Sequence, residues 1–143
     1  CLLQRGAKRV YAVDTAYGVL HWKLRQDERV VAMERTNALH VDLPEPVDLV
    51  VIDAGWTRLG LIMPHAVSLL REGGVALTLL KPQYEADPRE RRRGVVLPAS
   101  TQNVVSRVVE GLEAAGLRVA DRVPSRVPGA GGNAELFLLV AKP

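Results

Sequence analysis

The chain has 143 residues, 48% hydrophobic and 24% charged, with a net charge of +3 and a pI near 9.4. That balance excludes a disordered tail, and no apolar run reaches the roughly 18 residues of a membrane helix. The one cysteine, Cys1, excludes an internal disulfide and a Cys-rich zinc site, so a cytoplasmic, metal-free single domain is expected, with nucleic acid permitted as a partner but not demanded.

Cys1-Leu2-Leu3-Gln4-Arg5-Gly6 reads as the last turn of a helix closed by glycine. A chain that opens there is expected to have lost what came before, so residues 1–143 are read as one domain incomplete at its N-terminus. Arg9 to Val13 is an apolar run that predicts a buried strand ending at Asp14. Tyr17 to Arg25 can form a short helix. Arg29 to Met33 predicts a second strand, ending at Glu34, and Asp48 to Ile52 a third, ending at Asp53. Leu59, Ile62, Met63, Ala66, Val67 and Leu70 recur at helical spacing, with Pro64 implying a late start or a kink and Gly73-Gly74 closing the helix. Val75 to Leu80 predicts a fourth strand that hands over to Lys81-Pro82. Ala86 to Pro98 carries no apolar periodicity and is expected to be an exposed loop; it holds the arginine run Arg89, Arg91, Arg92, Arg93. Val104, Val105, Val108, Val109 and Leu112 mark a helix capped by Gly116. Leu117 to Val123 and Glu135 to Ala141 predict two closing strands, joined by a loop rich in Gly and Pro.

Strands alternating with helices predict an α/β, Rossmann-like domain with a mostly parallel sheet. The last two strands have no helix between them and should be antiparallel neighbours. In such sheets ligands sit at the carboxyl ends of the strands. Asp14, Asp53, Lys81 and Glu135 fall at those ends or in loops near them. Each also has a plain structural reading. Asp14 suits a ribose-binding acid or a helix cap. Asp53 could be a turn residue, Lys81 a solvated surface charge, and Glu135 an exposed strand residue. The arginine run is either an RNA-backbone contact or a solvated loop.

Taken in order, Asp48-Leu-Val-Val-Ile-Asp53, Lys81-Pro-Gln-Tyr-Glu85 and Gly132-Asn-Ala-Glu135 resemble the late motifs of TlyA-type (haemolysin-A-like) proteins, within the FtsJ-like ribose 2′-O-methyltransferases. Val10-Tyr-Ala-Val-Asp14, Trp22-Lys-Leu-Arg-Gln-Asp27 and Met33-Glu-Arg-Thr-Asn-Ala38 are similar to earlier blocks of the same family. The resemblance implies the class I S-adenosylmethionine-dependent methyltransferase fold, with the first strand before Cys1. It implies S-adenosyl-L-methionine as cofactor and ribosomal RNA or a ribosomal subunit as partner. It further implies a catalytic Lys-Asp-Lys-Glu set whose last three members are Asp53, Lys81 and Glu135. Cofactor contacts would come from Asp14, Asn37 and Asp53. The first lysine and the glycine-rich loop would precede Cys1. Gly55-Trp56 departs from the family's Ser-Phe, and Leu97-Pro98 from a basic-acidic pair, which bears on substrate preference.

The family's missing strand would lie between the strands ending at Asp14 and Asp53. Unpaired backbone groups there would cost about 1–3 kcal/mol each, against a typical total stability of about 5–15 kcal/mol. The isolated piece is therefore expected to be poorly stable or to have rearranged its sheet, to bind the cofactor weakly at best, and to be inactive. Rival readings are another Rossmann-type nucleotide-dependent enzyme, a haemolysin-labelled membrane-active protein, and a non-catalytic RNA-binding relative. The Lys81 and Glu135 blocks have no role in a nicotinamide-dependent oxidoreductase, and no basic amphipathic helix supports membrane damage.

Overall fold

The computed structural model describes residues 1–142, which form two compact units, residues 1–42 and 43–142. In the first unit β1 (Val10–Asp14) and β2 (Val30–Glu34) pair in parallel, in register from Val10 opposite Val30 to Asp14 opposite Glu34. The acids foreseen at both strand ends therefore lie side by side. Between them only Trp22–Arg25 is helical (α1), shorter than the Tyr17–Arg25 stretch expected. The Gly18 N–H donates to Glu34 Oε1 at 2.9 Å, and Gly18 has φ +77°. That cross-link and left-handed backbone commit Tyr17–Gly18 to a turn.

The second unit runs β3 (Val47–Ile52), α2 (Leu59–Ser68), β4 (Leu70–Leu80), α3 (Pro82–Glu85), β5 (Arg91–Arg92), β6 (Val95–Val96), α4 (Pro98–Ala114), β7 (Arg118–Pro124) and β8 (Leu136–Ala141). Its main sheet has the order β3-β4-β8-β7. β3 and β4 are parallel, while β8 is antiparallel to both its neighbours, as the absence of a helix before it predicts. In the first unit β1 and β2 form a sheet of two strands.

Alternation along β4 and β8 sorts the sheet's two faces. Ala76, Thr78, Leu80, Leu138 and Val140 are buried on one face, where α2 and α4 contribute Met63, Val104, Val105 and Leu112. The other face leaves Leu49, Val51, Phe137 and Val123 exposed.

Three expectations need correction. α2 starts at Leu59 and runs across Pro64, so of the two effects expected of the proline the late start does not occur. The helix stops at Ser68 and not at the glycine pair, because Leu70 already pairs with Val47 as a strand. The Gly73-Gly74 pair instead serves a bulge in β4. A Cβ on Gly74 would sit 3.0 Å from Arg71 O and 3.2 Å from Asp48 O, so a side chain there would force the two strands slightly apart.

Finally, residues 86–98 are not a plain exposed loop. Asp87 and Glu90 form a capping box, and Arg91–Arg92 and Val95–Val96 make a small hairpin. Its turn has φ +51° at Arg93 and +80° at Gly94, the backbone that a tight two-residue hairpin requires. Ala86 and Val96 bury themselves against Val104 of α4. Helical periodicity cannot register two isolated anchors of this kind.

Candidate active site

Lys81 follows β4, Asp53 follows the parallel neighbour β3, and Glu135 precedes the antiparallel neighbour β8. Topology alone thus brings the three to one rim of the second unit's sheet. Lys81 Nζ lies 2.6 Å from Asp53 Oδ1. The Asp53 side chain is mostly exposed, whereas the Lys81 side chain is only 19% exposed. The Asp53 hydrogen bond is the main reason the Lys81 amine holds its proton above the ordinary lysine range. Burial works against the rise, and Asp53, Glu135 and Tyr84 add to it through space.

Glu135 is not the exposed strand residue its position alone suggests. It is buried at 8% exposure, and its Oε1 accepts from Gln83 Nε2 at 2.8 Å. Gly129 presses on the same carboxylate, since a Cβ there would fall 2.1 Å from Glu135 Oε1. Two residues earlier, buried Asn133 uses its whole side-chain amide. Its Oδ1 accepts from the Val96 N–H at 2.9 Å, and its Nδ2 donates to Gly94 O and Ala130 O. That amide pins the β5–β6 hairpin to the loop carrying Glu135.

Each residue of Lys81-Pro-Gln-Tyr-Glu85 has its own partner. Pro82 at the first helical position fixes the exit from β4. Gln83 reaches Glu135. Tyr84 packs on Trp56 with ring centroids 5.1 Å apart. Glu85 Oε1 accepts from the Leu59 N–H at 2.7 Å, capping α2 from 26 residues away where Arg58 supplies no side-chain cap. Burial pushes the Glu85 carboxyl above its usual range. Trp56 is 86% exposed with φ +68°, an uncommon backbone for a bulky residue.

Gln83, Tyr84, Asn133 and Gly129 were not singled out from the sequence. Lone amides and glycines in loops look alike until the fold sets them against a carboxylate. Trp56 stood out only as a departure from the family pattern.

In the first unit Glu34 is occupied structurally, by Arg25 and by the Gly18 N–H. Asp14 is exposed, with Oδ1 accepting from the Ala16 N–H at 2.8 Å in a local turn. Exposed Asn37 makes a similar turn through the Leu39 N–H.

An open cleft of about 480 Å³ lies along Leu79, Phe137, Val123 and Pro124 and ends at Glu135. Lys81 and Asp53 lie outside its apolar lining, so the chemistry is assigned to the Lys81 rim. Among the described residues, no helix is long and apolar enough to cross a membrane, and no three His, Cys, Asp or Glu side chains group as metal ligands.

The FtsJ-like methyltransferase family model matches residues 1–142. A Bacillus subtilis protein named "Putative rRNA methyltransferase YqxC" is 41% identical, over 96% of this chain and 51% of the relative. The Mycobacterium tuberculosis protein named "16S/23S rRNA (cytidine-2'-O)-methyltransferase TlyA" is 37% identical, over 96% of this chain and 53% of the relative. A solved structure titled "Putative hemolysin from Streptococcus thermophilus" superposes with a TM-score of 0.92 at 34% identity, over 99% of this chain and 53% of that one. The chain thus spans about half the length of the curated relatives it matches. With the family model matching nearly the whole chain and the α/β fold in agreement, the chain belongs to the FtsJ-like methyltransferase family.

Proposed function

We propose that this chain carries the catalytic rim of a cytoplasmic enzyme that methylates a ribose 2′-hydroxyl of ribosomal RNA, with S-adenosyl-L-methionine as methyl donor. The carrying observation is the Lys81–Asp53 ion pair at the carboxyl ends of two parallel strands, beside buried Glu135. We read residues 1–143 as part of one methyltransferase domain.

The bound cofactor would supply an activated methyl group on a sulfonium. The residues present suit such a group. Asp14 offers an exposed carboxylate at the end of β1 for ribose hydroxyls, and Asn37 an exposed amide. Asp53 offers a mostly exposed carboxylate that can face a positive centre.

The remaining task is to handle a very weakly acidic hydroxyl. An ammonium stabilises negative charge as it develops on the oxygen, and it has three donors. Asp53 takes one N–H of Lys81, which fixes the amine's direction and leaves donors for an oxygen at the rim. Both acids favour the charged form of Lys81, so it acts as a cation and not as a neutral base. The exposed Trp56 ring, backed by Tyr84, offers an apolar face against which a base can rest.

Lys81→Ala in the full-length protein is expected to lower methyl transfer by at least about 100-fold, with cofactor binding within about twofold of wild type. Single-turnover transfer to ribosomal RNA and calorimetric cofactor titration measure the two. Wild-type transfer by Lys81→Ala would remove Lys81 from the chemistry.

A further inference from the structure

We propose that Gln83 is a positioning residue for Glu135, a role that rests on Glu135 belonging to the catalytic set.

Gln83 is 5% exposed and has one polar atom in use and one idle. Its Nε2 donates to Glu135 Oε1 at 2.8 Å, while its Oε1 is buried with no hydrogen-bond partner. A buried carbonyl without a donor lowers stability. A side chain of the same length without polar atoms would fill the space and spare that cost. An apolar side chain would in turn leave the buried Glu135 carboxylate without this donor, so it is Glu135 that the amide serves. An ionised carboxylate only accepts, so the amide must turn its N–H toward it and strand its own oxygen.

Gly129 supplies a second wall against the same oxygen. Its backbone angles, φ −74° and ψ −178°, suit any residue, so glycine is there for room and not for conformation. A side chain at position 129 would displace the Glu135 carboxylate from the place it now holds. The donor and the carboxylate are also fastened to one hairpin. Arg91 Nη1 donates to the Gln83 main-chain oxygen at 3.0 Å, and Asn133 grips Gly94 and Val96.

This arrangement divides the two acids between two partners. Asp53 takes the Lys81 amine, and Gln83 takes Glu135. Glu135 acts on Lys81 through space, without replacing Asp53 as its hydrogen-bond partner. Without the amide, nothing on that side would keep the carboxylate from swinging toward the ammonium. Lys81 would then be shared between two acids and aimed differently.

The test is Gln83→Met in the full-length protein, which keeps length and volume and removes the donor. Loss of the stranded oxygen and loss of the donor to Glu135 act on the unfolding midpoint in opposite directions, so kcat and KM of the folded variant are the readouts. The value of kcat for methyl transfer should fall roughly tenfold, with KM for RNA and for S-adenosylmethionine within about twofold. In a Glu135→Gln background, adding Gln83→Met should change kcat by less than about twofold, because the residue acts only through the carboxylate. A rise of about tenfold in KM for either substrate would make Gln83 a general structural link and overturn the proposal. So would wild-type kcat in Gln83→Met, or losses that add in full, with Glu135→Gln itself impaired. Wild-type kcat in Glu135→Gln would instead overturn the catalytic reading of Glu135, and the proposal with it.

Discussion

At the scale of single residues, the decisive feature is a lysine held charged. The ordinary lysine value is 10.5, and Lys81 lies above it, chiefly through the Asp53 hydrogen bond. A group whose folded value is raised contributes stability below its unfolded value and loses it as pH rises through the folded one. The Lys81–Asp53 link is therefore intact from neutral pH to above 10.5. If Lys81 supports the alkoxide as a cation, kcat should not climb with lysine deprotonation between about pH 7 and 9. Asp53→Asn removes the main cause of the rise, so any basic limb in the profile should move to lower pH. A kcat that climbs about tenfold per pH unit across that window would show a neutral amine acting as base. Lys81, Asp53 and Glu135 were each legible in the sequence as polar residues at strand ends. Their partners were not, since the Gln83–Glu135 bond spans 52 residues and leaves no local pattern.

At the scale of elements, α2 and the arginine hairpin depend on distant caps. The first N–H of α2 is satisfied by Glu85, whose carboxylate is partly desolvated. Glu85→Ala leaves the Leu59 N–H buried without an acceptor and should cost about 1–3 kcal/mol in denaturant unfolding. Glu85→Gln keeps an acceptor oxygen and removes the buried charge, so it should unfold within about 1 kcal/mol of wild type at neutral pH. Equal losses for the two variants would mean that shape, and not the cap, is what Glu85 supplies. The hairpin is held from the other side by Glu90. Its hydrogen bonds from Arg107 of α4 are the main cause of a carboxyl value lowered to about 2. Strand positions and the antiparallel ending were readable because apolar runs and turn residues encode them locally. The short α1, the early end of α2 and the Ala86–Val96 fold were not, because Glu34, Val47 and Val104 decide them from elsewhere in the chain.

At the scale of the whole molecule, the positive charge of the sequence gathers on a structured hairpin. Arg89, Arg92 and Arg93 are exposed there, while Arg91 spends one donor on Gln83. If they meet phosphates, replacing Arg92 and Arg93 by Ala should lower the slope of log affinity against log salt by about 0.7–0.9 per arginine. RNA binding measured over a salt series checks this, and an unchanged slope would leave the pair as solvated charges. The sequence by itself determined the class of fold, the order of the motifs and which residues end the strands, because periodicity and turn chemistry are local properties of a chain. Only the tertiary structure decided which acid holds Lys81, which amide holds Glu135, and why a glycine stands at 129. Those relations arise from strands far apart in sequence meeting at one sheet rim, where distance and exclusion of water, not residue type, set the interaction.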